Sequence, residues 1–484
     1  MLTDIVKQKK SSLIISINIL IKMKKFEKVK NIHFVGIGGA GMIGIAKVLL
    51  QKGYSISGSD LNFSNDLIRL QNDGAKVYEG HAKENIAGAD LLVVSSAISN
   101  NNPEIIQAIE EQITIIPRAE MLGSIMIGYE SIAVAGSHGK TTTTSMIAKI
   151  FSEAELSPTY VVGGKILSTD ENSDLGKGKY LVAEADESDG TFIHLQPDVA
   201  LVTNIDDDHL AHYNNIFENL LDSFVAFLEN IPFWGYMVIN GDDEDVSKVS
   251  KRISRKQVTF GETENCNYKI SNIKSLNGNQ SFYILDTRKN QSHKFSLNIP
   301  GKHNVFNAAG SIAVAIEEGI KIEAIQKAIS EFSGVGRRYE KHKINISSKD
   351  IVLIDDYGHH PIEINANLSA IKEEYPNKKV CMIFQPHRYT RTEQLFDDFV
   401  NVLSQVDSLI LLDIYSASEK PIDGINSQTI VRKIIEKGHE DVIHVANHDE
   451  IIDALNSKKG NIDILVTQGA GSISKVCDTI INDA

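Results

Sequence analysis

The stretch 131–150, SIAVAGSHGKTTTTSMIAKI, limits what this chain can fold into more than any other. Its apolar opening, SIAVA, suits a buried parallel strand, and TTTTSMIAKI reads as the start of a helix. Between them Gly136, Ser137, His138, Gly139, Lys140 and Thr141 form a glycine loop. Successive backbone N–H groups in such a loop can cradle phosphate oxygens at a helix N-terminus. Lys140 would then reach the terminal phosphates, with the Thr141 hydroxyl on Mg²⁺ and Thr142 following in the same cradle. Val134 stands where the G-x-x-x-x-G-K-[ST] pattern has its first glycine, so the strand–loop–helix context carries this reading. The alternative is a glycine-rich turn with no ligand.

A chain of 484 residues is too long for one core and suggests about three domains. Hydrophobic residues make up 42% and charged ones 23%, the balance of an ordinary globular protein. The net charge of −14, with no long basic run after residue 30, argues against nucleic acid as a partner. Small phosphorylated substrates need only one or two local cations and stay allowed. Cys266, Cys381 and Cys477 are far apart and form neither metal spacing nor a disulfide framework, which fits buried thiols in a reducing cytoplasm. The apolar run 13–21, LIISINILI, is too short to span a bilayer, and no small-residue cleavage site follows it. Residues 1–30 therefore read as an extension, with Met23 a candidate functional start.

From Asn31 the pattern is strand, turn, helix: NIHFV, then Gly36, Gly38, Gly39 and Gly41 in GIGGAG, then MIGIAKVLLQKG. Gly36, Gly38 and Gly41 fit G-x-G-x-x-G, and Asp60 ends the next strand, YSISGSD, where it could take a ribose hydroxyl. The motif says only that a pyrophosphate could rest on the helix N-terminus, so a UDP group fits as well as NAD. KVYEG (76–80), LLVVSSA (91–97, with Ser95) and ITIIP (113–117) continue a parallel sheet. Beyond the phosphate loop, YLVAEA ends in Glu184, Asp186, Glu187 and Asp189, and DVALVTNIDDDH ends in His209. Ligands of open α/β sheets bind outside the carboxyl ends of strands, so Glu184 and His209 are candidate Mg²⁺ holders beside Thr141. The segments YMVIN, QVTFG, YKISNI and SFYILD in 235–300 read as more antiparallel than parallel. After a helix over NAAGSIAVAIEEG and a glycine-punctuated hinge, GVGRR at 334–338, βα units resume: IVLIDDY, VCMIFQP with a helix from Thr392, SLILLDIY, VIHVA and DILVTQGAG. The expected fold class is α/β in three domains. These are a Rossmann-like N-terminal domain (31–126), a P-loop mononucleotide-binding central domain (127–334) and a Rossmann-like C-terminal domain (335–484).

HFVGIGGAGM, GSHGKTTTT, AEADESDG, TNIDDDH, PGKHNVFNAA, GVGRRYE, DDYGHHPIE and FQPHRYTR, in this order, resemble the ATP-dependent Mur ligases of peptidoglycan synthesis over 31–484. GIGGAGM is similar to the UDP-binding loop of the alanine-adding members and of the recycling members that add a whole tripeptide. AEADESD with the histidine-bearing strand end is closer to the alanine-adding ones. The resemblance implies ATP and Mg²⁺ as cofactors and UDP-N-acetylmuramate and L-alanine as substrates, joined through an acyl phosphate. It implies a cytoplasmic enzyme, monomeric or a weak homodimer, with no nucleic-acid or membrane partner. It further implies that His303, Asn304 and Asn307 lie near ATP, that Arg338 and Asp356 close onto the nucleotide, and that Tyr357, His359, Arg388 and Arg391 lie near the amino acid. Gly36, Gly38, Gly39, Gly41, Asp60 and Ser95 would hold the sugar nucleotide.

Two other classes stay in view. A nicotinamide-dependent dehydrogenase explains Gly36 to Asp60 but leaves the Gly-Lys-Thr loop without work. A P-loop switch ATPase explains Lys140 but not a separate N-terminal phosphate site. Within the family, the tripeptide-adding ligase is the runner-up.

Overall fold

The computed structural model describes residues 28–208, 210–346, 349–417, 419–446, 449–458 and 462–483. The apolar run 13–21 and Met23 lie outside the described residues, as does His209. The chain folds around three sheets and divides into two compact units. Of the described residues, one holds those from 28 to 272 with 282–296 and 306–332; the other holds 273–281, 297–305 and those from 333 onward.

The first sheet has the order Lys76–Glu79, Ser55–Asp60, Asn31–Val35, Leu91–Val94, Thr114–Pro117, every pairing parallel. Its order reverses beside Asn31–Val35, so the glycine loop after that strand opens at the switch point where such sheets bind ligands. Asn31–Val35 is buried after its first residue, as a parallel strand covered by helices on both faces must be.

The second sheet runs Glu171–Asp174, Thr159–Ile166, Tyr180–Glu184, Glu130–Ala135, Val199–Val202, Tyr236–Asn240, Lys256–Gly261, Tyr268–Leu276, Asn279–Asp286, Gln291–Leu297. Here the sequence expectation needs correcting. YKISNI pairs in parallel with QVTFG, and YMVIN and QVTFG are themselves parallel strands, Tyr236–Asn240 pairing in parallel with both Val199–Val202 and Lys256–Gly261. The crossover between them is the short helix Glu244–Ser250, whose apolar face is only Val246 and Val249 in an otherwise polar stretch. The Thr159–Ile166 and Glu171–Asp174 strands pair antiparallel and have no apolar alternation that would announce them.

The third sheet runs Glu340–Ile346, Lys349–Asp356, Ile464–Gln468, Val380–Phe384, Ser408–Leu412, Val442–Val445. All its pairings are parallel except that of the edge strand Glu340–Ile346. The helix expected from Thr392 starts earlier, at Tyr389, with Arg388 as its N-cap. Cys266, Cys381 and Cys477 are all buried and free. Among the described residues no helix is long and apolar enough to cross a membrane.

Candidate active site

The strand Glu130–Ala135 lies in the middle of the second sheet, and its loop leads into the helix Lys140–Glu153. Gly139, the N-cap, has φ 81°, and Gly136 has φ 132°, both left-handed values that favour glycine. Neither position has room for a side chain. A Cβ on Gly136 would lie 2.1 Å from Thr203 Oγ1, and one on Gly139 2.4 Å from Asn307 Oδ1. The neighbouring strand end clamps the loop. Asn204 accepts from the Ser137 and His138 amides through its carbonyl (3.1 Å) and its Oδ1 (2.9 Å), while Thr203 Oγ1 donates to the His138 carbonyl (2.7 Å). No side chain caps the helix, so its opening N–H groups at Lys140, Thr141 and Thr142 are left to an anion. Thr141 and Thr142 are themselves buried.

Lys140 folds back over its own loop. Its Nζ donates to the Gly136 carbonyl (2.6 Å) and the Ser137 carbonyl (3.1 Å) and pairs with Glu187 Oε2 at 2.8 Å. Burial works against this ammonium, but Glu187, Asp186 and Glu184 outweigh it and raise its pKa. Burial pushes the Glu187 carboxyl up, to about 7, with Lys140 pulling the other way. Asp186, also buried, is nevertheless held far below the usual carboxylate range by Arg118 and Lys140. Glu184 ends its strand and accepts from the Gly163 amide at 2.8 Å. The acidic strand end was legible in the sequence, but Glu187 as the partner of Lys140 was not. Asn307 lies against this loop from the helix Lys302–Glu317. His303 and Asn304 occupy the first turn of that helix, Asn304 donating to the Pro300 carbonyl at 2.7 Å. Among the described residues no group of three or more His, Cys, Asp or Glu is arranged to hold a metal by itself.

At the first sheet, the Gly36 and Ile37 amides donate to the Ser59 carbonyl (2.9 and 3.0 Å). Asp60 reaches back into the loop rather than outward. Its Oδ2 accepts from the Gly38 amide (2.8 Å) and its Oδ1 from the Asn62 amide (3.1 Å). A carboxylate oxygen has more than one lone pair, so these bonds brace the loop without exhausting the acceptor. Ser95 lies beneath Gly36, 3.1 Å from where a Cβ there would stand. Gly41 packs against a residue the sequence reading passed over, Arg118, whose Nη2 donates to Asp186 Oδ2 at 3.0 Å.

The second unit gathers its own cluster at strand ends. Asp356 accepts from the Tyr339 amide (2.8 Å) and the Gly358 amide (2.7 Å), and burial pushes its carboxyl up to about 6 against the pull of Arg338. Arg338 pairs with Glu363 at 3.5 Å and lies over the Tyr357 ring, 5.0 Å from its centroid. Rings then follow edge to face from Tyr357 to His359 (5.5 Å) and from His359 to His387 (5.3 Å), and His387 stacks on Tyr415 (5.5 Å). Arg391 is buried behind them, its Nη1 3.4 Å from His387 Nδ1. Arg388 parts from this group: half exposed, it faces Glu419 at 3.8 Å. Arg337 Nε donates to Asp355 Oδ2 at 2.9 Å. His387 stood inside FQPHRYTR, but spacing alone could not single it out.

Three family models match in chain order: "Mur ligase family, catalytic domain" over 31–130, "Mur ligase middle domain" over 134–315, and "Mur ligase, glutamate ligase domain" over 337–471. A UDP-N-acetylmuramate–L-alanine ligase of Psychrobacter sp. (strain PRwf-1) is 44% identical over 458 residues, 94% of this chain and 96% of that one. The crystal structure of UDP-N-acetylmuramate–alanine ligase from Thermotoga maritima superposes with a TM-score of 0.79 at 28% identity, covering 94% of this chain and 98% of that one. A murein peptide ligase from Psychrobacter arcticus 273-4 gives 0.72 at 22% identity over 94% and 98%, a likeness of fold alone. From its first sheet to its third, the chain belongs to the Mur ligase family.

Proposed function

We propose that this chain joins L-alanine to UDP-N-acetylmuramate with cleavage of ATP, in the cytoplasm, as a step of peptidoglycan precursor synthesis. The observation that carries the reading is the 44% identity to an alanine-adding ligase over 94% of the chain. The likeness to the murein peptide ligase is weaker in both TM-score and identity. A dehydrogenase would need only the first glycine loop.

In the proposed reaction the lactyl carboxylate of the sugar attacks the γ-phosphorus of ATP, breaking the bond to the β-phosphate oxygen and releasing ADP. The L-alanine amine then attacks the acyl phosphate, loses a proton and expels inorganic phosphate, leaving an amide. Such chemistry asks the protein for alignment and charge neutralisation rather than covalent help. The second-sheet loop fits ATP because its glycines admit no Cβ and its helix start has no side-chain cap. There Lys140 and the 140–142 amides would face the phosphates, with Asn307 alongside; His303 and Asn304 are the further candidate ATP residues that the family resemblance gives. Thr141 and Glu184 offer the hard oxygens that Mg²⁺ prefers, with His209 as the third family position. When bound, that ion would neutralise phosphate charge. The first-sheet loop, with Asp60 and Ser95, would hold the sugar nucleotide. Arg338 and Asp356 are, by the family resemblance, the third domain's candidate nucleotide residues. Arg391, with Tyr357, His359 and His387, would grip the amino-acid carboxylate, for which a guanidinium fork suits better than a lysine. The domains at work are 31–126, 127–334 and 335–484.

The test is phosphate release with ATP, UDP-N-acetylmuramate and one amine at a time: L-alanine, glycine, L-serine, and the L-alanyl-γ-D-glutamyl-meso-diaminopimelate tripeptide. L-Alanine should give the highest kcat/KM. Release with the tripeptide alone would move the protein to recycling, and no release with any amine would reject the ligase reading.

A further inference from the structure

We propose that Arg118 is a positioning residue for the sugar nucleotide, gripping its diphosphate beside Gly41 while Asp186, from the ATP-binding sheet, holds the guanidinium in place. The proposal rests on the function argued above and goes beyond it to a residue that neither glycine motif contains.

Arg118 opens the helix Arg118–Met126 directly after the strand Thr114–Pro117. Its side chain reaches to the first turn of another helix, Ala40–Gln51, which follows the first glycine loop. A Cβ on Gly41 would lie 2.1 Å from Arg118 Nη1 and 3.2 Å from its Cζ. A side chain at 41 would therefore push the Arg118 fork away from this helix start.

That cation stands at the positive end of a helix dipole, where an anion belongs and a guanidinium is disfavoured. The helix makes this worse by having no acidic residue in its first turn and no side-chain cap. An arginine placed there calls for negative charge beside it. Part of that charge is Asp186, 3.0 Å from Nη2, whose other oxygen accepts from the Ser188 amide at 3.1 Å. Asp186 takes one of the five N–H groups that a guanidinium offers. The side chain remains 23% exposed, so a ligand on the glycine loop can reach the rest of the fork. A diphosphate is the anion the arrangement fits: planar forks bind phosphate oxygens bidentately, and a G-x-G-x-x-G loop already directs a pyrophosphate to this helix start.

The link to the ATP side is covalent as well as electrostatic. Asp186 holds Arg118, and the next residue, Glu187, holds Lys140. Consecutive carboxylates thus each fix one cation, one for each phosphate cradle. Arg118 is placed by a residue of the other nucleotide's sheet, and sugar-nucleotide affinity should depend on that residue.

Calorimetric titration of the full chain with UDP-N-acetylmuramate, UDP and uridine tests this, using wild type, Arg118→Ala, Arg118→Lys, Asp186→Asn and the Arg118→Ala/Asp186→Asn double variant. Arg118→Ala should weaken UDP and UDP-N-acetylmuramate by roughly tenfold or more and leave the far weaker uridine binding alone. Arg118→Lys should recover part of the loss. Asp186→Asn should also weaken UDP, and the double variant should bind no worse than Arg118→Ala, because both act through one guanidinium. A folded Arg118→Ala protein that binds UDP as wild type does overturns the proposal. So does a loss that is equal for uridine, which would mark a merely structural brace. If Arg118→Ala fails to fold, Arg118→Lys decides: undiminished UDP affinity overturns it. A wild-type chain that binds neither UDP nor UDP-N-acetylmuramate would instead sink the functional reading beneath.

Discussion

Asp356 shows how one buried side chain can carry both a site and a pH dependence. Its carboxyl, ordinarily at 3.8, is pushed up to about 6 by burial, despite Arg338 and the amides of Gly358 and Tyr339. Between those two values the folded protein keeps a proton that the unfolded chain has lost. The unfolded state then binds fewer protons, so stability falls as pH rises through that window and is flat above it. A shift of this size is worth about 3 kcal/mol in all. Asparagine at 356 cannot titrate. Denaturant melts of Asp356→Asn and wild type should therefore show the difference in stability moving toward the variant by ~2–3 kcal/mol from pH 4 to pH 6.5, then holding steady. A gap independent of pH would mean that Asp356 titrates as an ordinary surface carboxylate. The residue types at this site were legible in DDYGHHPIE and FQPHRYTR, but their division of labour was not. Arg388 and Arg391 look equivalent in sequence, yet Arg388 has φ 71° at a helix N-cap and faces Glu419, while Arg391 is buried against His387. Backbone conformation, invisible in the spacing, gives the two side chains different surroundings.

At the level of elements, the glycines of the two loops look alike in sequence and differ from position to position in what they tolerate. Gly136 combines φ 132° with Thr203 Oγ1 at 2.1 Å and the Asn204 carbonyl at 2.9 Å from a built Cβ. Gly39 has φ −65° and no neighbour closer than 3.7 Å. Gly136→Ala should cost at least about 2 kcal/mol through strain and overlap with backbone. Gly39→Ala should cost about 1 kcal/mol or less, the ordinary loss at an N-cap. Thermal melts of the two variants side by side check this, and equal melting temperatures would mean the phosphate loop relaxes freely. The strand–loop–helix units were readable because burial on both faces writes continuous apolar runs. The same rule explains the errors. The helix Glu244–Ser250 puts so few apolar residues on its buried face that the sequence hides the crossover, and Tyr236–Asn240 and Lys256–Gly261 look more antiparallel than parallel until their pairing is seen. The edge strand Glu340–Ile346 (EKHKINI) is largely polar, so its sequence carried no signal.

For the molecule as a whole, the question is how many cooperative parts three sheets make. One hydrophobic cluster runs through the first two sheets, from Ile32 and Phe34 through Met121, Met126 and Val161 to Phe224 and Ile253. Ion pairs add links between the same parts: Arg69 with Asp170 at 2.8 Å, Lys165 with Asp66 at 2.6 Å, and Lys47 with Glu171. Exposed pairs are worth ~0–1 kcal/mol each, so they set register while the shared apolar core supplies the coupling. The third sheet has its own clusters on its two faces, one around Ile354, Phe384 and Phe399, the other around Leu353, Ile410 and Val476. Cooperative unfolding follows shared core, which predicts two transitions rather than three or one. Scanning calorimetry should resolve them, and the chain's single tryptophan, Trp234, reports only on the unit with the first two sheets. UDP-N-acetylmuramate at a hundred times its dissociation constant should stabilise that unit by ~2.7 kcal/mol and raise the tryptophan-detected transition alone. One calorimetric peak, moved as a whole by the sugar nucleotide and matched by the fluorescence trace, would show instead that all three sheets unfold as a single body.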